Sequence, residues 1–216
     1  MLVVEYTKKY PLSAISHIDL LRVFQRIIRR AEIKVAYSQG FNPHMRIFFS
    51  PPTPLGQETS CEYVTIETDE KGDEYFLKRF NSVCPMGIRA TRVWQTQKNP
   101  NLAKMLDRAE YCLSGDFVNQ IKIDGILDNP DYEIEYVDKA GQLQTQQAGE
   151  MIFDVRFDGE NRLKAILSFG NKNLRADRFF KYLCAKNGVD FDVCNLEKIQ
   201  AYVQDITVAD FLADFC

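Results

Sequence analysis

The order in which the hydrophobic period of this chain changes narrows its possible folds more than any other feature. Residues 3–6 form an apolar run that reads as a strand, and "TKKYPLSAIS" follows as a loop. A helix is predicted over about 17–31. There Leu20, Leu21, Phe24, Ile27, Ile28 and Ala31 recur on one face, and Arg22, Arg26, Arg29 and Arg30 fall on the other. Ser16 is placed to cap it, with Asp19 three residues later as an acidic variant of the capping box. "RIFFS" (46–50) reads as a buried strand stopped by Pro51–Pro52, and "EYVTIET" (62–68) alternates as a second. A helix over about 72–82, broken by Pro85 and Gly87, leads to the strand "IRATRVWQ" (88–95). The resulting order, β-α-β-β-α-β, is that of the ferredoxin-like fold.

The pattern then starts again. "TQKNPNLAKMLDRA" (96–109) reads as a connector with a short helix, "EYCLSG" (110–115) as a strand and 116–127 as a helix. "IFDVRF" and "RLKAILSF", joined by "DGEN", predict a hairpin. Residues 175–188 predict a helix ending at Gly188, and 196–204 a last strand. Between these lies an extra polar ribbon, 132–149, turning at Lys139–Gly141. The expectation is an α+β chain of two tandem ferredoxin-like domains, 1–97 and 108–216, the second carrying the inserted ribbon. The halves share this order of elements without visible sequence identity.

Composition excludes several function classes. With 27 basic and 30 acidic residues the formal net charge is −3, which argues against coating nucleic acid by bulk charge but allows a local basic face. No apolar run reaches the roughly 20 residues that span a bilayer, so no membrane association is expected. "MLVVEYTKKY" lacks the basic start and apolar middle of a signal peptide. Cys61, Cys84, Cys112, Cys184, Cys194 and Cys216 are scattered without any C-x2-C, which predicts reduced thiols, mostly core filler, in a cytoplasmic protein. That spacing also predicts no cofactor and no metal on this chain, because clustered cysteine ligands for iron–sulfur or structural zinc are missing.

The stretch "AYSQGFNPHMRIFFSPP" (36–52) holds the strongest candidate for function. It packs Tyr37, Ser38, Gln39, Gly40, Phe41, Asn42, Pro43 and His44 ahead of an apolar strand, and turn residues beside amides and aromatics suit a binding loop. The chain has two histidines, His17 and His44. A helical wheel sets His17 over Leu21, Phe24 and Ile28, so a half-buried histidine at the core's edge stands beside a functional role. The arginine stripe can grip phosphates, although such a stripe is also the ordinary solvated face of a helix. Arg46, Lys34, Lys8 and Lys9 extend a basic rim if they converge on the loop. Tyr37 and Phe41 can stack on bases, a contact worth about 1–3 kcal/mol per base. In the second half, "SFGNKNLRADRFF" (168–180) sets Gly170, Asn171, Lys172, Asn173 and Arg175 before a helix, an arrangement able to hold an anion, with Asp177 as a candidate cap. No Walker or G-x-G-x-x-G spacing, calcium loop or nucleophile elbow occurs.

"PLSAISHIDLLRVFQRIIRRAEIKVAYSQGFNPHMRIFFSPPTPLGQETSCEY" (11–63) resembles the bacterial radical SAM-linked proteins, a domain of unknown function. "LRADRFF" (174–180) resembles a weaker stretch of that family, with Ala176 where the family has proline; Tyr10 stands where it has a small residue. In that family the domain is fused behind a B12-binding radical SAM protein or stands beside one. This chain starts directly with the domain and lacks the C-x3-C-x2-C of the cluster, so the resemblance implies a stand-alone partner subunit. At the level of architecture alone, tandem ferredoxin-like domains are also similar to the CRISPR repeat-processing endoribonucleases.

Three functions are therefore expected in turn. The first is a module that presents RNA, such as tRNA or rRNA, to a radical SAM modifying enzyme. Its working residues would be His17, Asp19, Arg22, Arg26, the loop Tyr37–His44, Arg46 and Arg175. The second is a metal-independent endoribonuclease in which His17 or His44 moves the proton and Arg22 or Arg46 stabilises the charged intermediate. The third is a protein-interaction scaffold without nucleic acid.

Overall fold

The computed structural model describes residues 1–170 and 172–215; Asn171 and Cys216, named above, lie outside the described residues. The chain is a mixed α+β protein, mostly sheet, with five helices among the described residues. It divides into two compact units, residues 1–106 with 205–216, and residues 107–204. The tail 205–216, read from the sequence as the end of the second half, thus clusters with the first unit.

In the first unit the elements run β1 (Leu2–Lys8), α1 (His17–Arg30), β2 (Ile47–Phe49), β3 (Glu58–Ile66), α2 (Glu74–Ser82), β4 (Ile88–Gln95), α3 (Leu102–Met105) and, after the second unit, α5 (Val208–Phe215). The strand order is β4-β1-β3-β2, every neighbour antiparallel. Ile47, Phe48 and Phe49 of β2 lie opposite Ile66, Thr65 and Val64 of β3, which face Leu2, Val3 and Val4 of β1 on the other side. The period-2 alternation sends Leu2, Val4, Tyr6, Val64 and Ile66 into one core with Leu20, Phe24, Ile27 and Ile28 of α1 and Phe76 and Phe80 of α2. Phe24 is its hub, with ring centroids 4.6 Å from Tyr6, 5.1 Å from Phe49 and 6.1 Å from Phe80. Helix α2 starts at the Asp73 cap, whose carboxylate accepts from the Phe76 amide at 2.9 Å.

The second unit runs β5 (Arg108–Ser114), β6 (Glu133–Val137), β7 (Leu143–Gln147), β8 (Ile152–Phe157), β9 (Arg162–Ser168), α4 (Ala176–Lys186) and β10 (Asn195–Val203). Its sheet order is β10-β5-β9-β8, again antiparallel, and β6-β7 form a separate two-stranded ribbon. The helix expected over 116–127 is absent; only a 3₁₀ turn at Val118–Gln120 forms there. Val118, Ile121 and Ile126 are buried at a spacing that mimics a helix stripe. Branched Ile121 and Ile123, with Asn119 and with Gly125 at φ 74°, disfavour that helix, and the Lys122 amide bonds the Asn187 side chain instead. At the foot of the ribbon Gly149 is required, because a β-carbon there would collide with the Pro130 carbonyl.

If Phe24 is the hub, Phe24→Ala should destabilise the first unit by about 3–5 kcal/mol. Phe41→Ala, at a fully exposed position, should stay within about 0.5 kcal/mol of the parent. Urea unfolding followed by the single tryptophan, Trp94 on β4, distinguishes the two.

Candidate functional site

The loop after α1 is a closed hairpin rather than a loose connector. Helix α1 ends with the Ala31 amide on the Ile27 carbonyl and turns through Glu32, whose φ of 53° reverses the chain. The Ala36 amide donates to the Glu67 carbonyl (2.8 Å) and the Arg46 amide to the Ala36 carbonyl (2.8 Å). Tyr37 and Met45 form an antiparallel bridge, with Met45 buried as the anchor. Two bonds then close the neck: the Ser38 amide to the His44 carbonyl at 2.9 Å, and the His44 amide to Ser38 Oγ at 3.0 Å. Gln39, Gly40, Phe41, Asn42 and Pro43 are left as an exposed tip. Gly40 has φ 123° with open space around it, a backbone angle that a side chain opposes. Phe41 is fully exposed, and Tyr37 is 46 % exposed on the stem.

The start of α1 is built separately. Ser16 Oγ accepts from the Asp19 amide (3.2 Å) and donates to its carboxylate (2.7 Å), while Arg22 donates to Asp19 Oδ1 at 3.0 Å. The Ser16 hydroxyl, and then Arg22, hold the exposed Asp19 carboxyl below its usual range. His17 is exposed rather than half-buried; its ring stands edge-on to Phe49 at 5.3 Å. Arg26, Arg29 and Arg30 project into solvent with no ion pair among the described residues. Arg46 is committed to Glu67 at 2.5 Å and lies over the Phe48 ring at 5.9 Å.

Strand β2 therefore carries the two features at its opposite ends. The hairpin feeds its first residue, Ile47, and His17 rests on its last, Phe49. No hydrogen bond or ring contact links His17 to His44. Arg175 belongs to the second unit, where it grips Asp177 through two bonds of 2.9 and 2.7 Å ahead of α4. Among the described residues no group of three or more His, Cys, Asp and Glu is placed to hold a metal ion, and no helix is long and apolar enough to cross a membrane.

Sequence reasoning passed over three buried carboxylates among the described residues, Glu5, Glu62 and Glu110. Glu5, in the middle of apolar β1, accepts from Arg92 Nε (2.7 Å) and Nη2 (2.9 Å), from Thr91 (2.7 Å) and from the Tyr63 hydroxyl (3.0 Å). Burial above all, with Cys61 and Glu5 nearby, drives the Tyr63 phenol far above its ordinary pKa. Glu110, in β5, accepts from Arg156 (2.5 Å) and Tyr202 (3.0 Å). An acid inside an apolar strand was the available signal, because such a group persists only with partners. Also unforeseen is a cavity of about 590 Å³ between the ribbon and α4, lined by Tyr136, Arg178, Lys181 and Tyr182 among others.

Residues 1–176 match the family described as "uncharacterized protein conserved in bacteria (DUF2344)". The chain belongs to that family. Its matched span in this DUF2344 member includes α1, the closed hairpin and Arg175. No curated protein matches the chain.

Asp19 supplies a check on the helix start. Its lowered pKa contributes stability above the unfolded value, and that contribution is lost as pH falls through the folded one. A carboxyl NMR titration should place Asp19 below an ordinary aspartate, and Ser16→Ala should move it back up; an unchanged titration in the variant contradicts the geometry.

Proposed function

We propose that this chain is an accessory binding subunit, working in the cytoplasm beside a B12-binding radical SAM protein and presenting RNA to it. Any cluster and cobalamin would belong to the partner, with no cofactor on this chain. The carrying observation is the solvent face of α1. Arg26, Arg29 and Arg30 stand exposed without acidic partners among the described residues, and the chain turns at Glu32 and continues into the hairpin that displays Tyr37 and Phe41. Unpaired guanidinium groups suit phosphates, and exposed aromatics suit unpaired bases. The likeness of residues 11–63 to radical SAM-linked proteins supports the choice of partner.

We read the architecture behind that face as two tandem ferredoxin-like halves. In support, each unit orders its four main strands in the same way, counted by their position in that unit: fourth, first, third, second. The second half departs from the pattern by replacing its first helix with a 3₁₀ turn and the β6-β7 ribbon. Sheets of this kind commonly read single-stranded RNA. The endoribonuclease alternative asks His17 and His44 to share one reacting phosphate; His17 stands edge-on to Phe49 while His44 closes the hairpin neck with Ser38, and no hydrogen bond or ring contact joins the two. A scaffold without nucleic acid leaves the arginine row without a role.

Fluorescence anisotropy with single-stranded RNA across a salt series tests the proposal. Binding should weaken as salt rises. Arg26→Ala and Arg30→Ala should each lower the log–log slope by about 0.7 for a lost phosphate contact, while co-purification of the radical SAM protein persists. RNA affinity and salt slope unchanged in both variants would refute the arginine face.

A further inference from the structure

The cavity between the ribbon and α4 has a composition that the arginine face of α1 does not explain. Arg178, on the first turn of α4, lays its guanidinium 3.7 Å over the Tyr136 ring of β6. It makes no hydrogen bond or ion pair among the described residues, so its N–H groups carry no protein partner. Of the three acids lining the cavity, Glu135 is exposed with no partner among the described residues, and the other two are engaged. Asp177 is held by Arg175, and Asp138 accepts from the Ala140 amide (2.8 Å), the Gln142 amide (3.0 Å) and the Gln144 side chain (3.0 Å), besides feeling the Arg178 charge. Lys181, one turn along α4, and Lys139, at the ribbon turn, are exposed at the same cavity. Tyr182 adds a second ring, edge-on to Tyr132 at 6.3 Å.

A planar cation backed by an aromatic ring and flanked by two ammonium groups matches a ligand with a flat π-face and a nearby negative charge. About 590 Å³ lies within the range of small-molecule sites, roughly 300–1,000 Å³. Acidic peptides satisfy the charge but leave the outer guanidinium face uncovered, whereas bases stack readily on arginine planes. We propose that this cavity binds a nucleoside phosphate unit, its base stacked on the outer face of Arg178 and its phosphate held by Lys181 and Lys139. In the RNA-presenting reading above, that unit is an unpaired nucleotide of the same RNA; free mononucleotide shares the chemistry.

The test uses the full chain with two probes, a dye-labelled single-stranded RNA and adenosine 5′-monophosphate, followed by anisotropy and by NMR shifts of α4 and ribbon amides. Arg178→Ala should weaken RNA binding by about tenfold. Arg178→Lys, which keeps the charge but loses the plane, should recover only part of it, and circular dichroism should confirm that both variants fold. The monophosphate should shift amides around Tyr136 and Arg178. Shifts by the monophosphate with no RNA binding would uphold the cavity as a free-nucleotide site while refuting the RNA reading. RNA binding that falls in Arg26→Ala but not in Arg178→Ala, with no shift by the monophosphate, overturns the cavity and leaves the α1 reading standing. Binding of neither probe overturns both.

Discussion

The packing of Phe24 against Tyr6, Phe49 and Phe80 is the contact on which the rest of the first unit depends. Those rings come from β1, β2 and α2, so a single side chain ties α1 to three other elements. Once Leu20, Phe24, Ile27 and Ile28 are committed to the core, helical geometry leaves Arg22, Arg26, Arg29 and Arg30 no place except solvent. The basic face is thus a consequence of the core. The same contact holds Phe49, and with it a strand only three residues long. Without Phe49 in place the hairpin that feeds Ile47 would lose its support.

Rigid neck and exposed tip divide the labour within that hairpin. Ser38 and His44 exchange two hydrogen bonds and Met45 is buried, so the neck is ordered before any ligand arrives. If the tip binds as proposed, ordering costs would reduce its affinity less. Each unit also buries a carboxylate on its first strand, Glu5 and Glu110, each held by one arginine and one tyrosine hydroxyl. Removing one partner of such a group leaves a desolvated charge, which penalises misregistered strands strongly.

Much of this was readable from residue order. Helix α1, its Ser16 cap, strand β4 and the β8-β9 hairpin follow from periodicity and turn residues, because local patterns decide them. Segment 116–127 misled because buried Val118, Ile121 and Ile126 serve an irregular chain at helix-like spacing. Helix α5 was missed although Thr207 and Asp210 repeat the Ser16–Asp19 cap, with the Thr207 hydroxyl 2.6 Å from the carboxylate. Side-chain partnerships across distant strands were invisible. Nothing in the order of residues announces that Arg178 lies over Tyr136, or that His17 rests on Phe49 while His44 closes the hairpin neck.

Ultraviolet cross-linking of the full chain to single-stranded RNA, with peptide mass spectrometry to locate the adducts, addresses the central claim most directly. The account predicts adducts on the segment from the end of α1 through the hairpin, with Tyr37 or Phe41 as the modified residue. Efficient cross-linking confined to other segments, with that stretch unmodified, would contradict it.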